Sequence, residues 1–195
     1  MGVEVRQLRG GELRAELDAL AFLRIAVFED YPYLYSGDLD YERRYLKEFA
    51  QAGDSVLIGA YAKDRLVGAA TAAPLANYKP EFFRAFASRG FDVARIFYFG
   101  ESVLLSEYRG LGIGRRFFDE REAAACVAGA SKAAFCAVDR SRSDVRVPEG
   151  YTPLDPFWRS RGYEPVPGLT IEMGWEEHGM DGVIDHTMQF WIADL

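Results

Sequence analysis

Apolar and polar residues alternate from Val3 to Leu8, the period of a half-buried strand, and the pattern breaks at Gly10-Gly11. From Glu12 the period lengthens: Leu13, Leu17, Leu20, Leu23 and Val27 recur at three or four residues and predict a helix to about Glu29. Pro32 stops simple continuation and opens a loop, Asp30 to Asp38, that carries Tyr31, Tyr33 and Tyr35. Tyrosines crowded outside a periodic element either line a pocket or pack the loop onto the core. Asp38 is a candidate N-cap for a second helix reaching about Ala50, with an apolar face of Tyr41, Tyr45, Leu46 and Phe49.

Ser55–Ala62 and Arg65–Ala72, joined by Lys63-Asp64, read as an antiparallel hairpin closed by Pro74. Lys79–Arg89 predicts a short helix that begins at Pro80 and ends at Gly90. Ile96–Leu105 is a strand with a bulge signal at Gly100, and a helix follows from Gly112 to about Ala128 with Phe117 and Phe118 toward the sheet. Ala133–Val138 is a continuous apolar strand, and a strand–helix–strand unit of this length predicts a parallel pair. Asp139–Thr152 is polar and aperiodic, with Arg140, Arg142 and Arg146. Pro153–Arg161 predicts a short helix stopped by Gly162; Tyr163–Val166, Thr170–Trp175 and Met188–Ile192 predict strands, the last two separated by the polar segment Glu176–His186.

The stretch between the strand and helix near the middle of the chain holds the candidate chemistry. Arg109-Gly110-Leu111-Gly112-Ile113-Gly114-Arg115-Arg116 turns an apolar strand into a helix through three glycines. Glycines let a ligand approach the backbone, and the first turn of a helix has unpaired N–H groups that favour an anion. Arg115 and Arg116 sit where cations oppose the helix dipole, which points to a bound anion. The same sequence also suits a tight turn with no ligand.

Composition narrows the class. A chain of 195 residues, 49% hydrophobic and 27% charged, suits a single domain over residues 1–195. The longest apolar runs are too short to span a bilayer, and the start lacks the charged and apolar regions of a secretory leader, so a cytoplasmic location is expected. A formal net charge of −7 argues against nucleic acid as partner and suits a cationic or amine-bearing substrate. Cys126 and Cys136, in a predicted helix and a predicted strand, read as buried thiols and not as a disulfide or metal pair, and the two histidines left, His178 and His186, are too few for zinc, so no metal is expected.

The order of elements, with Arg109-Gly110-Leu111-Gly112-Ile113-Gly114 matching an Arg/Gln-x-x-Gly-x-Gly/Ala signature and Phe157-Trp158-Arg159-Ser160-Arg161-Gly162-Tyr163 similar to a later Phe-Tyr-x-x-x-Gly-Phe segment, resembles the GCN5-related N-acetyltransferase (GNAT) superfamily. The layout covers nearly the whole chain. The resemblance implies a mixed α/β fold: a mostly antiparallel, twisted central sheet of about seven strands, with a parallel central pair splayed at the CoA site and helices on its faces. It implies acetyl-CoA as cosubstrate and an amine acceptor, and it allows a homodimer. By this resemblance the pyrophosphate would lie on the loop from Arg109 through Gly110, Leu111, Gly112, Ile113 and Gly114 to Arg115, and the pantetheine arm would pair with Val103, Leu104 and Leu105. A main-chain N–H near Leu104 would face the thioester oxygen and stabilise the charge it gains when an amine attacks.

The attacking amine must be neutral, because an alkylammonium, pKa ~10.4, has no lone pair. Glu101, just before the pantetheine segment, is the leading candidate for accepting the proton, directly or through water, or for attracting the cationic amine. The family's usual proton donor to the departing thiolate is a tyrosine, and here that position is Trp158, which leaves Tyr151, Tyr163, Tyr31, Tyr33 and Tyr35 as replacements. The three loop arginines could hold an acidic substrate or the CoA 3′-phosphate, or face solvent. Phe82, Phe83, Phe86 and Phe91, with the loop tyrosines, are candidates for an aromatic acceptor wall. The alternative reading is a non-catalytic acyl-CoA-binding module on the same fold.

Overall fold

The central strands of the sheet are made of residues small enough to let helices close on both faces. In the computed structural model, which describes residues 2–140 and 144–195, the chain runs β1 (Val3–Leu8), α1 (Gly10–Ala15), α2 (Leu17–Phe28), α3 (Leu39–Gln51), β2 (Val56–Ala62), β3 (Arg65–Pro74), α4 (Pro80–Ala87), β4 (Ile96–Leu104), α5 (Ile113–Val127), β5 (Lys132–Val138), α6 (Asp155–Ser160), β6 (Glu164–Glu176) and β7 (Val183–Asp194). The seven strands form one sheet in the order β1-β2-β3-β4-β5-β7-β6. Neighbours pair antiparallel except β4 and β5, which are parallel.

On β3, Gly68, Ala69, Ala70, Ala72 and Ala73 keep both faces shallow. Helices α1 to α3 bury Leu13, Leu20, Leu23, Leu46 and Phe49 against one face, together with Leu57 and Val103. Each such leucine contributes roughly 1.5–3 kcal/mol by leaving water. Helix α5 covers the other face through Ile113, Phe117, Phe118, Ala124 and Ala125, joined by Phe157, Trp158 and Tyr163. Arg121 is enclosed there too, 1% exposed, with its guanidinium 4.4 Å from the Phe99 ring and 4.8 Å from Phe118. Burial pulls its pKa down to about 10.

The structure departs from the periodicity in several places. The expected first helix is two, α1 and α2, separated at Glu16. Asp38 caps α3 as expected, its carboxylate accepting the Tyr41 N–H at 2.5 Å, but Tyr41 itself is 45% exposed and the fully buried residue of that turn is Glu42. Cys126, expected buried, is exposed on α5, while Cys136 is half-buried. Phe82 and Phe86 are core residues beside Tyr98 and Phe190, and Phe83 faces solvent, so α4 does not supply an acceptor wall. The segments Tyr163–Val166 and Thr170–Trp175 merge into β6, whose register against β7 shifts between Pro165 and Thr170. Among the described residues no helix is long and apolar enough to cross a membrane.

Candidate active site

The sheet opens where β4 leaves β5. Their parallel pairing runs from Ile96↔Lys132 to Tyr98↔Ala134 and stops, while β5 continues along β7 to Val138↔Met188. Beyond Tyr98 the β5-facing edge of β4 has no strand partner among the described residues. The bulge expected at Gly100 is present: Ala72 pairs with Phe99 and Ala70 with Ser102, so β4 has one residue more than β3 over this interval. Glycine is required there, because a Cβ on residue 100 would lie 2.4 Å from Thr71 Oγ1.

The register past the bulge decides which backbone groups are free. Gly68 lies opposite Leu104, and the Leu105 N–H donates to Val67 O at 3.0 Å, so Leu105 is bonded toward β3. Strand alternation then turns the backbone groups of Leu104 and Ser102 toward the open edge. Val103 and Leu105, expected with Leu104 to pair with the arm, direct their backbone groups toward β3 instead, and Ser102 takes their place at the edge, since alternation relative to β3 is invisible without the register. The Leu104 carbonyl is met by Arg109 Nε at 3.3 Å, which ties the loop back to the strand. Val103 is fully buried, while Leu104 and Leu105 are half-buried.

After β4 the chain passes through a single 3-10 turn, Ser106–Tyr108, into the glycine loop. Gly110 and Gly112 have φ of +78° and +79°, a left-handed backbone that side chains rarely adopt, and open space lies over both. Gly112 is the N-cap of α5, and the first helical hydrogen bond is from the Arg116 N–H to Gly112 O. The N–H groups before Arg116 therefore lack helical partners, no acidic residue stands in the first turn, and Arg115 is exposed beside Gly114. Leu111 is exposed and Ile113 is buried beneath the helix start. The loop thus has the donors, the space and the dipole that an anion needs.

On the opposite face, a buried charge cluster surrounds Glu101. Arg24 of α2 contacts both Glu42 of α3, through Nε, and Glu101 of β4, through Nη1 at 2.7 Å. The side chains of Arg24, Glu42 and Glu101 are 11%, 0% and 4% exposed. One oxygen of each carboxylate, Oε1, is buried without a partner. Burial acts to lower the arginine's pKa, but the fields of Glu101, Tyr45 and Glu42 outweigh it and hold the guanidinium charged. Its planar group also lies 4.6 Å from the Tyr45 ring and 5.0 Å from Phe28.

Phenols roof this cluster. Tyr45 donates to Glu101 Oε2 at 3.3 Å and shares a hydrogen bond with Tyr78 at 2.9 Å; Tyr98 does the same with Cys136 Sγ at 3.1 Å. Burial pushes Tyr33, Tyr45, Tyr78 and Tyr98 above the ordinary phenol range, so all four keep their protons at neutral pH. Burial likewise raises the Cys136 thiol to about 11, which leaves it a poor nucleophile.

The tyrosine loop is pinned by the β6–β7 hairpin. Trp175 Nε1 donates to Tyr33 O at 2.9 Å, and Tyr35 bridges Glu177. Glu177, 2% exposed, receives Arg140 and Arg146, and Asp144 receives both as well. Burial acts to raise Glu177, but the two arginines hold it below the usual carboxylate range. Arg140 and Arg146 are thus committed to internal pairs, and Arg142 lies outside the described residues. His186 stacks on Trp175 at 3.7 Å, and burial lowers its pKa. His178 is exposed near Glu29.

The possible proton donors separate. Trp158 packs against Phe135 and Trp191, 5.1 Å from each. Tyr163 is fully buried and donates to Glu122 Oε1 at 3.1 Å on the α5 side, away from Glu101. Tyr151 meets Tyr31 edge-on at 4.7 Å. Tyr33 is the loop phenol whose surroundings include Arg24, Tyr151, Cys136 and Glu101. Among the described residues no group of three or more His, Cys, Asp or Glu side chains is placed to hold a metal ion.

No protein-family model matches the sequence, and no curated protein matches it. Solved structures do. A ribosomal-protein-alanine N-acetyltransferase from Brucella melitensis superposes with a TM-score of 0.61 at 18% identity, covering 98% of this chain and 99% of that one. An acetyltransferase of the GNAT family from Staphylococcus aureus Mu50 gives 0.61 at 12% identity, covering 100% and 99%. The yncA protein of Salmonella typhimurium, solved with its cofactor acetyl-CoA, gives 0.60 at 11% identity, covering 100% and 95%. The chain has the fold of the GNAT acetyltransferases, with a single parallel strand pair in a mostly antiparallel sheet of seven strands.

Proposed function

We propose that a chain of this fold, with an open β4 edge feeding an anion-ready loop, is an acetyl-CoA-dependent N-acetyltransferase that passes the acetyl group to a primary amine by direct attack. The observation that carries this reading is the continuity of two features. The β4 edge opens after Tyr98 and runs, within one 3-10 turn, into positive-φ glycines at the start of a 15-residue helix. A strand edge suits a flexible, amide-bearing arm, and a helix N-terminus suits a pyrophosphate. When bound, acetyl-CoA supplies an activated thioester carbonyl.

In this reading Ser102 and Leu104 offer backbone groups to the pantetheine arm, and the loop from Arg109 to Arg115 binds the pyrophosphate. The Leu104 N–H is placed to stabilise the oxyanion, a donor fixed by the sheet and therefore needing no reorganisation during reaction. Glu101 lies one bulge away. Its unpartnered Oε1 attracts the acceptor's ammonium and takes its proton directly or through water. Glu42 adds a second negative charge, and Arg24 offsets one of the two.

Calorimetry with acetyl-CoA and release of CoA thiol across a panel of primary amines test the assignment. Binding with turnover, and a kcat reduced about 10²–10⁴-fold in Glu101→Gln, is the outcome expected of a proton-accepting carboxylate. Tight binding with no turnover on any amine would favour the non-catalytic acyl-CoA-binding module, which Trp158 in place of tyrosine recommends. Absence of binding would overturn both.

A further inference from the structure

The chain contains four lysines, Lys47, Lys63, Lys79 and Lys132. Lys47 and Lys63 are exposed, and Lys132 is tied to Asp194. Lys79 is different. It is half-buried at the N-cap of α4, next to Tyr78, with its Nζ 4.8 Å from the centre of the Tyr45 ring. Tyr45 is the phenol that donates to Glu101 and bonds Tyr78.

Burial raises the Cys136 thiol, and the Lys79 charge counters part of that rise. Cys136 lies two residues beyond Ala134, the last residue of β5 paired with β4. A primary amine of the chain's own therefore lies against an aromatic face that suits a cation, on the very phenol that donates to Glu101, a carboxylate with an unpartnered oxygen.

We propose that Lys79 is an internal acceptor and that the chain acetylates itself there when acetyl-CoA is bound and no other amine occupies the site. This inference rests on the acetyltransferase reading above. The Lys79 nitrogen forms a C–N bond to the acetyl carbon as the thioester C–S bond breaks. Of the two protons the ammonium loses, one ends on the CoA sulfur and one passes to water. The product is a neutral amide that no longer sits as a cation on Tyr45.

The test is incubation of the purified chain with acetyl-CoA alone, followed by intact-mass and peptide mass spectrometry, with acetyl-CoA binding measured separately by calorimetry. The expected result is one acetyl group per chain, on Lys79, at a rate per chain unchanged by dilution. It should form at least about a hundredfold faster than on Lys47 or Lys63, a small part of what holding two reactants together provides. The preference should vanish in the guanidinium-unfolded chain, and Lys79→Arg should accumulate only the slow background. Binding of acetyl-CoA without Lys79 acetylation, or acetylation of Lys79 no faster than of Lys47 and Lys63, overturns this inference alone. Absence of acetyl-CoA binding overturns it together with the reading on which it rests.

Discussion

Replacing Arg24 by Met removes the cation that Glu42 and Glu101 both contact and leaves two carboxylates in the interior, 0% and 4% exposed. Each already has one buried oxygen without a partner, and Glu42 then loses the contact of its other oxygen too, while Glu101 keeps the Tyr45 hydroxyl at 3.3 Å. Breaking a buried pair from one side costs about 3–5 kcal/mol, because the stranded charge is no longer compensated. Urea denaturation followed by the fluorescence of Trp158, Trp175 and Trp191 measures it. Adding Glu42→Met and Glu101→Met to the same chain should restore much of the loss, since apolar packing replaces a buried ion cluster with little or no penalty. A loss below about 1 kcal/mol, the size of a solvent-screened surface pair, would refute the picture of a desolvated cluster.

Gly112→Asp puts a side chain at φ +79° and a carboxylate where the pyrophosphate would lie; the backbone alone costs about 1–2 kcal/mol, and acetyl-CoA affinity should fall by about tenfold or more in calorimetry, an unchanged Kd counting against the loop as the site. His186 is held neutral in the folded chain by burial against Trp175 and by Arg140 and Arg146, although Glu177 and Asp185 act the other way. Its folded pKa is depressed, so its contribution is present above ~6.5 and lost as pH falls through the lowered value, and His186→Phe should flatten the decline of stability below pH ~6.5. Glu177 is also depressed, so its contribution is lost only below its unfolded value near ~4.3, and that acid limb should survive in His186→Phe.

What could be read from the sequence was what neighbours in sequence decide. The hairpin at Lys63-Asp64, the cap at Asp38, the Gly100 bulge and the glycine loop are set by a few adjacent residues, and each stands where the pattern put it. The charge cluster is different in kind. Arg24 and Glu42 are 18 residues apart, and neither departs from an ordinary solvated helix face on composition alone. Glu42 sits one turn position from Tyr41, so a small rotation of α3 exchanges them, and the guanidinium of Arg24 decides for Glu42. The α4 aromatics failed for a related reason: Phe82 and Phe86 have the helical spacing of a buried face, and in the structure Tyr98 and Phe190 take them into the core. The internal commitments of Arg140 and Arg146 depended on a carboxylate more than thirty positions away, Glu177.

In the proposed reaction, the tryptophan at position 158 bears on how the thiolate would leave. Its ring is held between Phe135 and Trp191, so this position is a core position here and supplies no proton donor for a leaving thiolate. The phenols that do stand near Glu101 have pKa values raised by burial, which suits them to donate hydrogen bonds and not protons. A thiol with a pKa near ~8.5 departs at neutral pH with little help from an acid. Removing a general acid therefore forfeits at most the ~10²–10⁴ such a group contributes. In the proposed reaction the rate enhancement would then rest on the parts of the site that are rigid: the Leu104 N–H held by the β3 register, the bulge that the glycine at 100 permits, and the Glu101 carboxylate held by Arg24 and Tyr45. These are preorganised donors and charges that need no movement as the transition state forms, and that is the form of stabilisation that survives the loss of a titrating acid.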